Sequence, residues 1–333
     1  MEWNPTTNTS STTSIPRSAS SLIMRRVREG KRDHDDIRTM MTTTTQRKTS
    51  SSPHQPRIIA IDCGNSRVKL SDGHVVMSVD AASVTGSAVK TFLKNRQDHV
   101  VAWSSVSPST WDVVRTMVAA HRLIDAGGHV CTHSLVRKVK ADGAGTDRVL
   151  GCAGALFRLK DQNAGHAGAC ITVDCGTATT VNVVNDRREF IGGMIFPGQR
   201  LMARVLHTET ARLPLVDVAE ALRRTEMMTG SDTLSAIRSG VAHATVGGIV
   251  SAVQSARERL RLNEVPVFIT GGNAPLLLPI LKHRLDGVHV PDLVLDAIRR
   301  IAENVVADDE GKGESSQGKK STDTKNPDTK RSR

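Results

Sequence analysis

Hydrophobic and polar positions follow one order twice along this chain. The apolar, β-branched run RIIAID and the alternating stretch VKLSDGHVVMSVD predict a strand followed by a hairpin with a Ser-Asp-Gly turn. A helix-like stretch, SAVKTFLKNR, and a buried strand, HVVAWSSV, come next, and Pro108 then opens the predicted helix WDVVRTMVAAHRL. The small-residue stretch GTDRVLGCAGALFRLK predicts one more helix. The first round therefore contains hairpin strands followed by helices.

The pattern restarts at residue 169. ACITVD predicts a strand, CGTATT a turn, and VNVVNDRREFIGGMIF a hairpin with Asn-Asp at its tip. Predicted helices follow at PGQRLMARVLHTETARL and, as one helix or two, at 232–260; EVPVFITGG is a buried strand and PDLVLDAIRRIAENVV a final amphipathic helix. The repeated order predicts two α/β domains of similar architecture that face each other, at 58–168 and 169–307.

The two ends of the chain differ from this pattern. Residues 1–57 are rich in Ser and Thr with a basic balance, and residues 308–333 are charged and polar. Neither segment buries enough apolar surface to offset the entropy of ordering it, so both are predicted to be disordered tails. Met24, Met40 and Met41 are alternative starting points, and the sequence leaves that choice open.

Composition and charge narrow the possible partners. The net charge is +11, but about half of it lies in the two ends, so the core is only mildly basic. The chain has no Tyr, three Trp and five Phe, which leaves few side chains for stacking on bases. We therefore expect no nucleic acid to bind the core.

Cysteine usage and hydropathy indicate the compartment. Five cysteines make an odd count without a CxxC pair, which favours reduced thiols over a disulfide framework or a zinc site. No apolar run approaches the ~18 residues of a membrane span, and the N-terminus lacks the apolar region of a signal peptide. The sequence predicts a cytoplasmic protein without a membrane partner.

Two strands end in the same turn, DCGNS at Asp62 and DCGTATT at Asp174. Glycine permits close approach of a ligand, the following N–H groups and hydroxyls can donate to phosphate oxygens, and the aspartate can hold a hydrated Mg²⁺. One such turn is more often an ordinary hairpin. Two copies at the heads of two similar domains predict one loop for each end of a triphosphate.

These motifs resemble a known superfamily. DCGNS, DCGTATT and TGG (270–272) are similar to the phosphate-1, phosphate-2 and adenosine motifs of acetate and sugar kinases, actin and heat-shock chaperone ATPases. Within it the chain resembles the type III pantothenate kinases. The carriers, in family order, are DCGNSRVK, GTDR, DCGTATT, GGMIFPG, TARLP, GSDTLSAIRSG, ITGGNA and PDLVLDAI.

The resemblance implies a fold and an activity. The fold would be α/β, with two ribonuclease H-like (actin-like ATPase) domains and an ATP cleft between them. The activity would be ATP-dependent phosphorylation of pantothenate to 4'-phosphopantothenate, the first step of coenzyme A biosynthesis, by a homodimer. Mg²⁺ and a monovalent cation, K⁺ or NH₄⁺, would be cofactors.

The resemblance also implies a role for each motif residue. Asp147 would be the general base that accepts the proton of the substrate hydroxyl, and Asp62 would hold Mg²⁺. Asp174 would help bind the monovalent cation. ATP and its phosphates would contact Asp62, Gly64, Asn65, Ser66, Lys69, Gly176, Thr177, Thr179, Gly271 and Gly272. Pantothenate would contact Gly145, Thr146, Arg148 and Thr180.

Simpler interpretations of the same residues stay open. Asp147 and Arg148 at a helix start could be a helix-dipole partner and a surface arginine. GGMIFPG could be only the exit of a tight hairpin. Cys63 and Cys175 are better explained as small buried apolar residues than as nucleophiles. The twelve His show no close metal-ligand spacing, so we expect surface or core positions.

One departure from the family keeps other functions open. The family usually has a Tyr a few residues before G-x-D-R, whereas this segment reads LVRKVKADGAGTDR. The substrate pocket is therefore altered on that side. The alternatives are a kinase of another small hydroxy acid or sugar, and a non-catalytic transcription-accessory relative, against which the intact Asp62, Asp147 and Asp174 argue.

Overall fold

Each apolar strand that ends in Asp-Cys-Gly is the central strand of a five-stranded sheet. The computed structural model describes residues 56–84, 87–132, 136–137, 143–162, 168–223 and 229–317, all within one compact unit. The first sheet has the order β3-β2-β1-β4-β5. Its strands are β1 (Ile58–Cys63), β2 (Arg67–Ser71), β3 (Val76–Asp80), β4 (Val100–Ser105) and β5 (Leu123–Asp125).

The second sheet repeats the first. Its strands are β6 (Cys170–Cys175), β7 (Ala178–Val184), β8 (Phe190–Pro197), β9 (Val267–Thr270) and β10 (Val288–His289). Their order, β10-β9-β6-β7-β8, is the order of the first sheet with β6 in the place of β1. Both central strands pair antiparallel with the next strand and parallel with the fourth. The predicted α/β fold with a repeated ribonuclease H-like sheet is confirmed.

Nine α-helices lie in the described parts of the chain. They are α1 (Ser87–Leu93), α2 (Pro108–Met117), α3 (Ala126–Thr132), α4 (Thr146–Asp161), α5 (Gln199–Thr208), α6 (Ala219–Arg223), α7 (Thr233–Leu260), α8 (Ala274–Leu281) and α9 (Leu293–Gln317). The region predicted as one helix or two is the single helix α7. Asp232 caps its start by accepting a hydrogen bond from Ser235 N at 3.0 Å. The sequence did not predict α3, α6, α8, β5 or β10.

Three hydrophobic cores alternate with the two sheets. The central core joins α4 and α9 to residues of both sheets. One outer core packs α1 and α2 on the first sheet, and the other packs α5 to α8 on the second. The two sheets therefore share a central layer of helices.

Strand alternation decides which residues face that central layer. In β1, Ile58 and Ala60 belong to the central core, whereas Ile61 and Cys63 belong to an outer core. Because successive side chains of a strand point to opposite faces, Asp62 faces the central layer. In β6 the same alternation places Asp174 on the central face and Cys175 in the other outer core.

The four cysteines with described side chains are buried, which confirms the prediction made for Cys63 and Cys175. They are Cys63, Cys152, Cys170 and Cys175. Burial, together with the negative charge of the neighbouring aspartates, raises the pKa of the Cys63 and Cys175 thiols to about 12. These two thiols therefore act as small apolar groups.

The last helix differs from the prediction. The sequence predicts disorder from residue 308, but α9 continues to Gln317. Arg122 Nη2 lies 2.6 Å from Asp309 Oδ2, and this ion pair anchors the first turn beyond the predicted end. α9 follows the second sheet in sequence but packs on β1 and β4 of the first.

The boundaries 58–168 and 169–307 remain a prediction, and residues 1–55 and 318–333 lie outside the described residues.

Helix α7 is long and apolar enough to cross a membrane by length and composition, which differs from the sequence prediction of no such segment. Its buried residues, Ile237, Val241, Val246, Ile249 and Val253 among them, belong to the second sheet's outer core. A buried core helix passes the same test, so α7 is weak evidence for a membrane span.

Candidate active site

The two Asp-Cys-Gly turns lie side by side. Ser66 Oγ of the β1–β2 turn is 2.7 Å from Thr177 Oγ1 of the β6–β7 turn. In each turn a glycine N–H donates to a carbonyl across the hairpin, Gly64 to Arg67 at 3.0 Å and Gly176 to Ala178 at 3.1 Å. Asn65, Ser66 and Thr177 are exposed at the tips. The repeated motif therefore forms one bipartite loop site with exposed hydroxyl and amide groups.

At the end of each sheet where these turns lie, polar residues of three neighbouring strands lie side by side on the central face. Strand pairing places Lys69 and Ser104 on either side of Asp62. In the second sheet Thr180 and Thr270 flank Asp174 in the same way. The lysine of one row thus corresponds to a threonine of the other.

Asp62 and Asp174 share one electrostatic environment. Burial raises the pKa of each carboxyl from 3.8 to about 6, and the positive charge of Lys69 opposes both shifts. The negative charge of Asp147 raises both pKa values, and that of Asp174 raises the pKa of Asp62. Two half-buried carboxylates with raised pKa values mark a site that is short of positive charge, and such a site favours cations.

Asp147 lies in the first turn of α4, where Gly145 is the N-cap residue. Its Oδ1 accepts a hydrogen bond from Arg148 N at 2.9 Å. Thr146 Oγ1 lies 3.2 Å from Ser104 Oγ, which ties the start of α4 to the strand beside Asp62. The helix-dipole interpretation of Asp147 fits its position, and its effect on Asp62 and Asp174 also places it at the carboxylate site.

Arg148 is not the surface arginine that the simpler interpretation predicted. Its Nε donates to Asn182 Oδ1 at 2.6 Å, and its guanidinium carbon lies 5.5 Å from the centre of the Phe190 ring. Asn182 Nδ2 in turn donates to Thr180 Oγ1 at 3.2 Å. Asn182, which the sequence analysis did not single out, thus joins Arg148 to Thr180.

Thr179 and Thr180 lie on opposite faces of the second sheet. Thr180 pairs with Asp174 on the central face, and Thr179 pairs with Cys175 on the outer face. Thr179 Oγ1 is buried and has no hydrogen-bond partner among the described residues. The sequence predicts a turn at CGTATT, and the resemblance assigns Thr179 to the ATP phosphates. Because β7 begins at Ala178, the Thr179 side chain instead lies on the outer face, away from Asp174 and Thr180.

The glycines after β9 serve packing as well as access. Gly271 has φ +97°, and a Cβ there would overlap Asp174 Oδ1 and the backbone of Cys175. Gly272 is exposed, and a Cβ there would meet nothing within 4 Å. Both glycines were expected to expose backbone to ATP, but only Gly272 has open space beside its backbone.

Two further residues hold the second turn in place. Asn273 Nδ2 donates to Gly176 O at 2.9 Å, and Asn273 N donates to Cys175 O at the same distance. Gly198 N donates to Thr177 O at 3.0 Å, and a Cβ at Gly198 would lie 2.6 Å from that carbonyl oxygen. GGMIFPG is therefore more than the exit of a hairpin, because its last glycine packs on the turn that resembles a phosphate-binding motif.

A family model described as type III pantothenate kinase matches residues 58–255, which is more than half of the chain. The chain belongs to the type III pantothenate kinase family. The match covers both Asp-Cys-Gly turns, the GTDR segment and Asn182.

Individual relatives agree with this family membership. A type III pantothenate kinase from Legionella pneumophila (strain Paris) is 34% identical over 159 residues, which is 47% of this chain and 57% of the relative. One from Dehalococcoides mccartyi (strain CBDB1) is 30% identical over 207 residues, 61% of this chain and 73% of the relative. The chain thus matches less than two thirds of the length of some of these curated relatives.

The fold also has a solved counterpart. A crystal structure from Campylobacter jejuni, described as a Baf family transcriptional activator, superposes with a TM-score of 0.50 at 16% identity. The superposition covers 75% of this chain and 99% of that one. At this level of identity the likeness concerns the fold alone.

The family's substrate-side segment is only partly described. Residues 138–142, which precede GTDR where the family usually has a Tyr, lie outside the described residues. Among the described residues no group of three His, Cys, Asp or Glu could hold a metal ion by itself. A metal at this site would need water or phosphate oxygens as additional ligands, which is how Mg²⁺ is usually bound.

Proposed function

We propose that the protein transfers the γ-phosphoryl group of ATP to the primary hydroxyl of pantothenate, giving 4'-phosphopantothenate and ADP, the first step of coenzyme A biosynthesis. The observation that carries the proposal is the position of Asp147. Its neighbour Thr146 contacts Ser104, which lies beside Asp62, and the negative charge of Asp147 raises the pKa of the half-buried Asp62 and Asp174. Phosphoryl transfer needs that combination of charge neutralisation and a carboxylate at the nucleophile.

The residues at the two turns fit Mg²⁺ and nucleotide phosphates. Mg²⁺ would neutralise charge on the phosphates, and Asp62 would hold it, because this half-buried carboxylate has too little positive charge around it. Lys69 adds the positive charge of a side chain opposite Asp62. Asn65, Ser66 and Thr177 would donate to phosphate oxygens. Gly64 and Gly176, whose N–H groups bond across the hairpins, would let the phosphates approach the backbone, and Gly272 would let the nucleoside lie against bare backbone.

The donor set near Asp174 fits a monovalent cation. Its carboxylate is half-buried, and the Cβ position of Gly176 lies 3.5 Å from Asp174 Oδ1 and 3.3 Å from the carbonyl oxygen of Ala178, so both oxygens border the same small space. We propose that K⁺ or NH₄⁺ binds there, without the Thr179 hydroxyl. The cation would balance the Asp174 charge next to the phosphates.

The acceptor would lie at the start of α4. Arg148 and Thr180 would bind the pantothenate carboxylate and a polar group beside it, while Gly145 and Thr146 would contact the reacting end. Asp147 then accepts the hydroxyl proton as the new O–P bond forms and the bond to the β,γ-bridging oxygen breaks. A primary alcohol is too weakly acidic to lose its proton earlier, so this transfer occurs late.

We also propose the setting in which this activity operates. The reduced, buried cysteines favour the cytoplasm, and the mildly basic, aromatic-poor core favours small molecules over nucleic acid. A homodimer is expected from the family, with no membrane partner.

The experiment is a coupled assay of ADP release. Full-length protein with ATP, Mg²⁺ and K⁺ should release ADP when pantothenate is added, and the product should be 4'-phosphopantothenate by mass spectrometry. Sugars and other hydroxy acids serve as controls. Turnover with one of these and none with pantothenate would refute the proposed acceptor.

The two adjacent threonines provide a matched pair of variants. Thr180→Val should raise the KM for pantothenate by roughly tenfold, because a hydroxyl on the central face is lost. Thr179→Val should leave kcat, KM and the K⁺ dependence within about twofold, and should stabilise the protein by about 1 kcal/mol, since it removes a buried hydroxyl without a partner. Steady-state kinetics and thermal unfolding check both. A shifted K⁺ dependence in Thr179→Val would contradict the assignment of faces.

A further inference from the structure

Asn182 is a buried residue with three side-chain hydrogen bonds. It lies on the central face of β7 and is 1% exposed. Its Oδ1 accepts from Arg148 Nε at 2.6 Å, and its Nδ2 donates to Thr172 Oγ1 at 3.3 Å and to Thr180 Oγ1 at 3.2 Å. Because an arginine can only donate, the amide oxygen has to face Arg148. The two threonines then hold the amide in that orientation.

Arg148 has a neutral side-chain partner, whereas three other half-buried arginines in the described part of the chain pair with aspartates. Arg96, Arg158 and Arg300 each form an ion pair with an aspartate, at 2.6, 2.8 and 2.6 Å. Within the described ranges, Arg148 has no ion pair, and the neutral Asn182 is its side-chain hydrogen-bond partner. Arg148 is therefore oriented without being neutralised.

A carboxylate would hold the guanidinium more tightly than an amide does. The hydrogen bond from Arg148 to Asn182 is already charge-assisted by the guanidinium, and a carboxylate of the same shape as the amide would add the attraction between opposite charges. An aspartate at this position would also cancel the charge that an anionic ligand of Arg148 needs. Asparagine holds the Arg148 side chain less tightly than aspartate would, but it does not neutralise the positive charge of the guanidinium.

We propose that Asn182 is a positioning residue that makes the acceptor site selective for anions. It fixes Arg148 from the Nε side, between β7 and the Phe190 ring, and leaves the charge of the guanidinium for the carboxylate of the acceptor. This inference rests on the proposed function, in which pantothenate is that acceptor. A neutral acceptor with the same hydroxyl would gain nothing from Asn182.

The test compares Asn182→Asp with the wild type on two acceptors. Pantothenate carries a carboxylate, and pantothenol keeps the primary hydroxyl but has a neutral alcohol instead. In Asn182→Asp the ratio of kcat/KM for pantothenate to that for pantothenol should fall by about tenfold or more, through the KM for pantothenate. The kcat values should change little.

Thr172→Val is the second variant. It removes one anchor of the Asn182 amide without touching Arg148, and should lower the same ratio by a smaller factor. It keeps the inference testable if Asn182→Asp does not fold. Thermal unfolding verifies that each variant is folded before its kinetics are compared.

Three outcomes are decisive. An unchanged ratio in folded Asn182→Asp, or an equal loss with both acceptors, would overturn the inference and leave the proposed function intact. If the wild type turns over neither acceptor but binds pantothenate in calorimetry, the proposed reaction fails, and weaker pantothenate binding by Asn182→Asp would still support the inference. A wild type that neither binds nor phosphorylates pantothenate would refute both.

Discussion

Asp147→Asn is expected to lower pantothenate-dependent turnover by roughly 10²- to 10⁴-fold, the range that a positioned general base contributes. Asparagine keeps the shape of the side chain but cannot accept the hydroxyl proton at the transition state. The loss should appear in kcat, because Asp147 acts when the new O–P bond forms. Steady-state kinetics at saturating ATP and pantothenate measure it directly.

The matched control is Asp161→Asn at the other end of the same helix. Asp161 is exposed and pairs with Arg300, and its replacement should leave turnover within about twofold. Asp147→Asn itself should cost at most about 1 kcal/mol of stability through the helix dipole. MgATP binding, measured by calorimetry, should also persist. Turnover near the wild-type level in Asp147→Asn would remove this residue as the base.

The sequence predicts the elements around the site because the motif is local. A strand, an Asp-Cys-Gly turn and a returning strand involve about a dozen consecutive residues. Because side chains alternate along a strand, Ile59 and Ile61 face an outer core, and Asp62 is the last residue of β1 that faces the central layer. The repeat at Asp174 then predicts a second sheet of the same kind. The contact of Ser66 with Thr177 follows from those two local patterns and one assumption, that the two domains face each other.

The remaining parts of the site depend on long-range contacts. Ser104 lies beside Asp62 only because β4 pairs parallel with β1 across a helical crossover. Asn182 is a single polar residue in an apolar strand, and its only signal was that VNVV interrupts the apolar run with an amide. A buried amide needs partners, so a sequence search for isolated Asn in predicted core strands would have found it.

The position of Thr179 differs from the expected one for another reason. A run of small hydroxylated residues predicts a turn, and within a turn neighbouring side chains can face one ligand. The structure begins β7 at Ala178, so a period of two applies and separates the threonines. Where a turn ends and a strand begins decides which hydroxyls reach the site, and single-sequence patterns locate that point least well.

Asp62→Asn is expected to have opposite effects on activity and on stability. MgATP-dependent turnover should fall by about 10²-fold or more, because the side chain that would hold the metal loses its charge. The free protein, however, should become more stable at pH 8 by about 1 to 3 kcal/mol. Burial raises the pKa of Asp62 to about 6, so the folded protein without a bound cation is destabilised when this carboxyl is ionised.

The pH dependence fixes the sign of the effect. Between pH 3.8 and about 6 the folded state holds a proton on Asp62 that the unfolded state has released, so the contribution of Asp62 to stability falls as pH rises through this window. The gain from Asp62→Asn should therefore be full above pH 7 and shrink towards pH 4. Urea unfolding of the full chain in chelator, at several pH values, measures this gap.

Asp72→Asn is the control with the opposite expected sign. Burial acts against the Asp72 carboxylate, but the N–H groups of Val75 and His74 and the Arg96 guanidinium hold its pKa below the usual value. Asn at this position should destabilise the protein at pH 8, and the difference from the wild type should fade as pH falls through the lowered pKa. Two aspartates ten residues apart would then respond in opposite directions to the same change. If Asp62→Asn lowered stability at pH 8 as Asp72→Asn does, the carboxylate of Asp62 would already be compensated, and the argument that this site requires a cation would fail.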